Sequence, residues 1–271
     1  RLLELDLRQA VAAEDFTLHY QPLVNLRTGR PTGFEALLRW PHAERGLVPP
    51  GEFIPVAEEM GLIVPISEWV LRRACQEAAS RMGALKVGVN LSAVQFRPGN
   101  NLVRLVASAL EAAGLPASRL ELEITETALL QDTAETIATL HHLKRLGVSI
   151  SMDDFGTGHS SLSYLLRFPF SKVKIDQSFV RGLGDRGDSA AAIVRAVVGL
   201  GVSLNMTVIA EGVETEDQLD QLAAQGLNEA QGYLFSRPLP LDEIPRLLNG
   251  PLGPRRARSR AGFAAEAVVA A

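Results

Sequence analysis

Residues whose side-chain oxygen atoms could bind a metal ion lie at or just after the end of several β-strand-like runs in this sequence. They are Asn90, Glu123, Asp153, Asp154, Asp176, Glu211 and Gln231. Glu35 lies inside another such run, where an unpaired carboxylate would be costly to bury. Because the carboxyl ends of parallel strands meet at one edge of a sheet or barrel, these donors are expected to converge. A set of oxygen donors without a cysteine or histidine cluster favours hard cations such as Mg²⁺ or Mn²⁺ over zinc.

Asp153 and Asp154 are adjacent and are followed by a glycine-containing loop, Phe155 to Ser161. Neighbouring carboxylates repel each other, so a site that keeps both ionised normally holds a cation. Two carboxylates side by side also allow two metal ions with one shared ligand. A metal pair about 3.5–4 Å apart is the usual means of activating water against a phosphodiester. For Asp176 alone, a turn or helix-capping role is equally consistent with the sequence.

Lys174 lies two residues before Asp176 and therefore points to the same side of a strand. In that position its ammonium group would hold the attacking water or the phosphate. Two other interpretations stay open here: an exposed lysine at a strand end, and a Schiff-base lysine of an aldolase-type barrel. The aldolase interpretation requires a desolvated amine, whereas the surrounding carboxylates would keep Lys174 charged.

Short β-rich runs alternate with amphipathic helical stretches, a pattern typical of a mostly parallel sheet. Eight strands are predicted, at 17–23, 33–39, 86–91, 120–124, 148–152, 172–175, 207–210 and 228–231. Helices are predicted at 65–81, 102–113, 133–146, 190–204 and 216–225. The pattern predicts an α/β fold, a (β/α)8 TIM-like barrel. The turn-rich segment 24–32 is too short for a parallel crossover, so an antiparallel strand pair is predicted at the start of the barrel.

The composition is that of a globular chain. Of its 271 residues, 46% are apolar, which is enough for a large core. A net charge of −4 is unlike the basic surface of proteins that bind polymeric nucleic acid, and no stretch is apolar enough to predict a membrane segment. The single cysteine, Cys75, is typical of a reducing compartment, so a cytoplasmic location is expected.

The two ends of the chain differ from the middle. Residues 1–14 have the spacing of a surface helix, which predicts a linker helix leading from an upstream domain. Residues 15–250 form the predicted barrel domain. Residues 251–271 form a basic and then alanine-rich tail to which the sequence assigns no role.

Nine segments along the chain carry recognisable motifs. They are YQPLV (20–24), FEALLRW (34–40), FIPVAEEMGLI (53–63), VNLS (89–92), ELEITE (121–126), DDFGTGHSSL (153–162), VKID (173–176), EGVET (211–215) and QGYLFSRPLP (231–240). In these segments the chain resembles the EAL-domain phosphodiesterases of bacterial cyclic di-GMP signalling. The resemblance implies hydrolysis of cyclic di-GMP to linear pGpG by a metal-dependent barrel whose second strand pairs antiparallel to its first.

Position by position, the resemblance implies two Mg²⁺ or Mn²⁺ ions in each active site. One ion would be held by Glu35, Asn90, Glu123 and Asp153, and the other by Asp153, Asp154 and Glu211. Lys174 would orient the nucleophilic water, and Glu211 has been given the role of a base in relatives. Contacts to the substrate are implied for Gln21, Arg39, Asp176, Glu214 and Gln231, with Arg39 as a phosphate clamp. Glu126 would anchor the loop at 153–161.

The resemblance also implies partners. A homodimer would form through the loop at 153–161 and the helix after it. An upstream sensor or diguanylate cyclase domain would precede the barrel, and it could tether the full-length protein to a membrane. His159 stands where the family usually has a tyrosine, which concerns the loop rather than the metal ligands.

The alternative function is that of a receptor that binds cyclic di-GMP without hydrolysing it. Family members that have lost metal ligands behave in this way. Every ligand position identified in this sequence keeps the expected residue type, which favours the enzyme over the receptor.

Overall fold

A computed structural model of the chain describes residues 2–97, 99–129, 134–156, 162–185 and 187–253. The strands in this part of the chain are β1 Thr17–Asn25, β2 Pro31–His42, β3 Gly46–Val48, β4 Lys86–Leu91, β5 Leu120–Thr125, β6 Ser149–Phe155, β7 Lys172–Ile175, β8 Thr207–Ala210, β9 Glu229–Ala230 and β10 Leu239–Pro240. The helices are α1 Leu2–Ala13, α2 Pro50–Glu59, α3 Ile63–Arg81, α4 Leu102–Ala113, α5 Ala134–Leu146, α6 Leu162–Arg167, α7 Gln177–Asp185, α8 Gly187–Ser203, α9 Glu216–Ala224 and α10 Ile244–Leu248. Short 3₁₀ helices lie at Ala93–Phe96, Ala117–Arg119, Glu126–Leu129 and Leu241–Glu243.

Eight of the strands close into a barrel, in the order β1, β2, β4, β5, β6, β7, β8, β9 and back to β1. β2 and the strands from β4 to β9 run parallel to one another. β1 runs antiparallel to both of its barrel neighbours, β2 and β9. The two remaining strands lie outside the closed barrel, β3 paired with β2 and β10 with β1. The predicted (β/α)8 barrel and its antiparallel first pair are therefore confirmed.

Several short elements are not predicted by the sequence patterns: α2, α6, α7, α10, β3 and β10. The clearest case is α2, which carries Pro50 at its first turn and Pro55 inside. Proline is compatible with the first turn of a helix, where the missing N–H has no intrahelical partner, but it resembles a loop signal when only the sequence is read. Strands of two or three residues, such as β3 and β10, are too short to show a period.

Aromatic side chains on the outer face of the first strands fix these strands to the helices. The rings of Trp40 and Phe53 meet edge to face with centroids 5.5 Å apart, and Phe16 lies 6.3 Å from each. The Tyr20 hydroxyl donates a hydrogen bond of 2.6 Å to Glu77 on α3. These contacts hold the antiparallel pair β1–β2 in place, and with it the inward-facing side chains of both strands.

The inner face of the barrel is polar over much of its length. Alternate residues of β5, β6 and β7 are buried polar or charged side chains: Glu121, Glu123, Ser151, Asp153, Lys172 and Lys174. Because alternate side chains of a strand share a face, these residues form two levels, one near the start of the strands and one near their ends.

The helix predicted near the start of the chain is present as α1. Leu7 and Ala10 are buried, and Asp6 Oδ2 lies 3.4 Å from His42 Nε2 and 3.6 Å from Arg45 Nε. The helix is thus packed against the domain. The upstream domain stays a prediction, and residues 254–271 of the predicted tail lie outside the described residues.

Within the described residues, none of the helices has the length and apolar character that a membrane crossing requires.

Gly232 marks a close approach of two chain segments beside the barrel mouth. A Cβ at this position would lie 2.1 Å from the Val213 carbonyl oxygen and 2.3 Å from its nitrogen. Both atoms are engaged, since Val213 N donates to Gln231 O and Leu234 N donates to Val213 O. We expect Gly232→Ala to lower the free energy of unfolding by about 2 kcal/mol or more, measured by urea denaturation.

The matched control is Gly199→Ala. Gly199 lies inside α8, and a Cβ there would meet nothing within 4 Å. This substitution should leave stability unchanged or raise it by about 0.5–1 kcal/mol, because alanine has the higher helix propensity. Equal stabilities of the two variants would contradict the close approach at Gly232.

Candidate active site

The oxygen donors singled out in the sequence meet at the end of the barrel where the parallel strands finish. Glu35 lies in the middle of β2, opposite Gln21 of β1. Asn90 and Glu123 are register partners on β4 and β5. Asp153 lies near the end of β6. The strand order therefore brings together side chains that are up to 210 residues apart, such as Gln21 and Gln231.

Lys174 lies at the centre of this group and is fully buried. Its Nζ is 2.5 Å from Glu211 Oε1 and 2.6 Å from Glu123 Oε2. Asp153 Oδ1 follows at 3.4 Å and Glu35 Oε2 at 3.6 Å. One ammonium group thus faces four carboxylates, and the interpretation of Lys174 as an exposed lysine at a strand end is wrong.

Glu35 is held by amide side chains on both sides. Asn90 Nδ2 donates to Oε1 at 2.7 Å, and Gln231 Nε2 donates to Oε2 at 2.6 Å. Gln231 Nε2 also lies 3.0 Å from Gln21 Oε1. Since Asn90 uses its nitrogen toward Glu35, its carbonyl oxygen is left for another partner.

Two carboxylate triads share Asp153. Glu35, Glu123 and Asp153 each offer an oxygen within 4.8 Å of the others, and the same is true of Asp153, Asp154 and Glu211. Asp154, the second-last residue of β6, is left-handed with φ 52°, and its backbone N–H donates to Asp153 Oδ1 at 2.9 Å. Backbone conformations of this kind are uncommon outside glycine and recur at functional sites.

The donor set fits divalent cations. The two triads contain five carboxylates and Lys174 contributes one positive charge, so the cluster carries an excess of negative charge that two divalent ions would neutralise. Glu123 Oε1 is buried and has no hydrogen-bond partner among the described residues, as expected of a ligand atom. Every donor is a carboxylate or amide oxygen, which suits Mg²⁺ or Mn²⁺.

The excess of negative charge and the burial of the cluster also shift the pKa values of its carboxyl groups. Burial raises the pKa of Glu211 to about 8. Burial, together with the Asp153 and Asp176 charges, raises the pKa of Asp154 to about 6. Burial likewise raises the pKa of Glu123 and of Asp153. The pKa of Glu35 is lowered, because Lys174 and the amides of Gln231 and Asn90 outweigh the effect of burial.

The Schiff-base interpretation of Lys174 requires a neutral amine. Burial alone would lower the pKa of Lys174, but the surrounding carboxylates outweigh burial and raise it well above its usual value. A lysine held as an ammonium has no lone pair with which to attack a carbonyl. The geometry therefore disfavours aldolase chemistry.

The residues assigned to substrate contact occupy different parts of the mouth. Gln21, Glu214 and Gln231 line a cleft of about 210 Å³ directly above the carboxylates. Arg39 lines a neighbouring cleft of about 450 Å³ with mostly apolar walls, and its Nη1 donates to Leu38 O at 2.9 Å. Asp176 accepts a hydrogen bond of 2.9 Å from Ser178 N and so caps the start of α7. The structure thus supplies the capping role that the sequence left open for Asp176.

Three cleft residues are missed by the sequence reasoning: Gln177, Arg181 and Tyr233. Gln177 begins α7 directly after β7, and Arg181 lies one turn later on the same face, with Nη2 3.5 Å from Glu214 Oε1. The Arg237 guanidinium stacks 4.3 Å above the Tyr233 ring. Their positions at βα junctions are the signal that could have found them.

Glu126 lies at the base of the loop at 153–161. Its Oε2 accepts a hydrogen bond from Gly156 N at 3.4 Å. This contact is consistent with the anchoring role, which stays a prediction. His159 and the rest of the loop, residues 157–161, lie outside the described residues, as do Thr133 and the predicted start of its helix.

The fold and the site together define an α/β barrel with an acidic, oxygen-donor site at the carboxyl-terminal mouth of its parallel strands, where barrel enzymes carry their active sites. Comparison with known proteins gives the family. The EAL domain matches residues 4–238 of this chain. The chain belongs to the EAL domain family.

Two relatives from Pseudomonas aeruginosa have named activities. The bifunctional diguanylate cyclase/cyclic di-GMP phosphodiesterase MucR is 46% identical over 88% of this chain and 35% of its own length. The cyclic di-GMP phosphodiesterase NbdA is 44% identical over 91% of this chain and 32% of its own length. The chain therefore spans about a third of the length of these curated relatives.

Among solved structures, the PaMucR phosphodiesterase in complex with c-di-GMP superimposes with a TM-score of 0.85. It is 46% identical to this chain, and the match covers 90% of this chain and all of that one. The barrel fold is thus shared in full with a domain that binds c-di-GMP.

Proposed function

We propose that this domain hydrolyses cyclic di-GMP to linear pGpG with the help of two Mg²⁺ or Mn²⁺ ions. The observation that carries the proposal is the pair of carboxylate triads that share Asp153 around the buried Lys174. The similarity to MucR and NbdA supports the choice of substrate.

The proposed ligands of the first ion are Glu35, the Asn90 carbonyl oxygen, Glu123 and Asp153, and those of the second are Asp153, Asp154 and Glu211. When bound, the ions lower the pKa of a coordinated water and neutralise charge on the phosphodiester. The amide of Gln231 keeps Glu35 oriented and ionised.

In this proposal Lys174 orients the nucleophilic water. A lysine ammonium has three N–H donors. Two of them serve Glu211 and Glu123, at 2.5 and 2.6 Å, whereas Asp153 and Glu35 lie beyond 3 Å. In the proposal the third donor holds a water against the shared carboxylate, Asp153. Glu211, which lies next to Lys174, is the alternative acceptor for the proton of that water.

Substrate binding would use the two clefts of the mouth. The Arg39 guanidinium has the fork geometry that suits two phosphate oxygens, and Arg39 lines the apolar cleft. The apolar walls of that cleft are suited to a purine base. The cleft above the carboxylates is strongly acidic, so binding of an anionic dinucleotide there requires the cations.

Removal of divalent metal should abolish hydrolysis. Purified protein incubated with cyclic di-GMP and Mg²⁺ or Mn²⁺ should release pGpG, detected by liquid chromatography. With EDTA the rate should fall by at least about 1,000-fold, because the cations supply several kcal/mol of transition-state stabilisation. Hydrolysis at an undiminished rate in EDTA would contradict the metal assignment.

The second candidate function is a receptor that binds cyclic di-GMP without turnover. The complete donor set argues for the enzyme, and the same assay separates the two. Tight binding of cyclic di-GMP with no pGpG formed at any Mg²⁺ or Mn²⁺ concentration would establish the receptor.

We further propose the setting of the domain. The barrel at 15–250 follows an upstream sensor or diguanylate cyclase domain, joined through α1, and it forms a homodimer in the cytoplasm. The length of the relatives and the second activity named for MucR support the upstream domain. Light scattering of the purified chain tests the dimer.

A further inference from the structure

A second cavity lies at the opposite end of the barrel from the active site. It has a volume of about 130 Å³ and is lined in part by Lys86, Gly88, Glu121, Lys172 and Thr207. Lys86, Lys172 and Thr207 are the first residues of β4, β7 and β8, so the cavity opens where the parallel strands begin. None of these residues belongs to the proposed catalytic set.

Two buried oxygen atoms in this lower part of the barrel lack hydrogen-bond partners among the described residues. Glu121 is 2% exposed; its Oε1 lies 2.8 Å from Lys172 Nζ, and its Oε2 has no partner. Ser151, on the neighbouring strand, is fully buried, and its Oγ also has none. Buried polar atoms of this kind are normally satisfied by protein or by ordered water.

Gly88 connects this cavity to the active site. It lines the cavity, and a Cβ built on it would lie 2.2 Å from Glu123 Oε1. The Glu123 carboxylate therefore occupies the space that a side chain at Gly88 would fill, so this proposed metal ligand lies directly against a residue that lines the cavity. Ser151 on β6 is the register partner of both Glu123 on β5 and Lys172 on β7, so it lies between a proposed metal ligand and a lysine that lines the cavity.

The charges of the cavity indicate which molecule fills it. Lys86, Lys172, Glu121 and Glu229 all line it, so its charges balance, and the two lysines would repel a further cation. The carboxylate of Glu121 opposes an anion in the same way. A neutral molecule that can donate to Glu121 Oε2 and to Ser151 Oγ satisfies both atoms, and the volume suits several waters.

We propose that this cavity is a second water route, which runs from the strand-start end of the barrel past Glu121, Ser151 and Gly88 to Glu123. Its role rests on the proposed hydrolysis, which consumes one water in each turnover. A dinucleotide bound in the clefts of the mouth covers the carboxylates from that side, and the second route lets water exchange with the site from below.

A crystal structure at about 1.5 Å resolution tests the route directly. The expected result is ordered water within hydrogen-bond distance of both Glu121 Oε2 and Ser151 Oγ. A dry cavity, or protein atoms bonded to these two oxygens, would overturn the proposal. This outcome does not depend on catalysis, so it is separable from a failure of the proposed hydrolysis.

A matched pair of variants tests the contribution to turnover. Ser151→Val and Ser151→Thr add nearly the same volume, but only threonine keeps the hydroxyl. We expect Ser151→Val to lose the adjacent water in its crystal structure and to lower kcat about fivefold with KM unchanged, and Ser151→Thr to stay within about twofold of the parent.

If the two variants had equal kcat values, the proposed water route would have no part in the reaction. If Ser151→Val does not fold, which its thermal unfolding curve would show, the waters in the unmodified protein decide the proposal. Absence of hydrolysis in the unmodified protein would reject the proposed function, and the cavity waters would still be decided by the crystal structure.

Discussion

Lys174→Met is expected to lower kcat by at least about 1,000-fold and to destabilise the metal-free protein by about 3 kcal/mol or more. The side chain is fully buried and faces four carboxylates. Methionine has a similar length but no donor, so the nucleophilic water loses its proposed hydrogen bond and the carboxylates lose their counter-charge. The measurements are steady-state hydrolysis of cyclic di-GMP and urea unfolding in EDTA.

The stability loss should shrink when Mg²⁺ is added, because the ions restore positive charge to the cluster. This metal dependence distinguishes a buried charge left unpaired from a simple packing defect, which metal would not repair.

Lys172→Met provides the matched control. Lys172 lies two residues earlier on the same strand, is also buried, and pairs with Glu121 at 2.8 Å. Its loss should cost stability as well, but kcat should fall by less than about tenfold, since no proposed metal ligand contacts it. If the two lysine variants lost activity equally, the special role of Lys174 would be wrong.

The sequence predicts the barrel well because its signals are local. Each of the eight barrel strands is a short run of β-forming residues between turn signals, and the short 24–32 segment indicates the antiparallel start. The order of the strands then follows from the connection rules of parallel sheets. Elements defined by tertiary contact, such as β3 and β10, leave no such local signal.

The site is predicted as a set of residues but not as a geometry. Strand-end positions identify Asn90, Glu123 and Asp153, and the resemblance adds their roles. The number of carboxylates around Lys174 depends on the pairing of β8 with β7 and on barrel closure, which brings β2 across from β7. The cap that Asp176 provides for α7 is a local contact, and its charge still acts on Asp154 of the cluster.

The net charge of the chain excludes fewer partners than its sign suggests. A net charge of −4 disfavours a partner that binds through a basic field, such as polymeric nucleic acid. Much of the negative charge at the mouth lies in the two triads around Lys174. Two divalent ions would neutralise this charge, so a small anionic dinucleotide remains compatible with an acidic chain.

Asp153→Asn should abolish hydrolysis and yet stabilise the metal-free protein at alkaline pH. Asp153 belongs to both triads, so its loss weakens both metal positions, and kcat should fall by at least about 1,000-fold. The asparagine oxygen can still accept the Asp154 backbone hydrogen bond. Because one of several repelling carboxylates is removed, we expect the free energy of unfolding at pH 8 in EDTA to rise by about 1 kcal/mol.

The pH dependence of the stability of the metal-free protein explains why Asp153→Asn should be stabilising. Burial and the neighbouring charges raise the pKa of Glu211 from 4.5 to about 8, so between these values the folded protein binds a proton that the unfolded chain has released. Stability of the metal-free parent therefore falls as the pH rises through this range. Asp153 contributes to that shift in the pKa of Glu211, so the stability of Asp153→Asn, measured by urea unfolding, should decline less steeply with pH.

Asp15→Asn, at an exposed position between α1 and β1, should reproduce the parent curve and the parent activity. A variant at Asp153 that is less stable than the parent at pH 8, or that still hydrolyses cyclic di-GMP, would contradict the shared-ligand assignment.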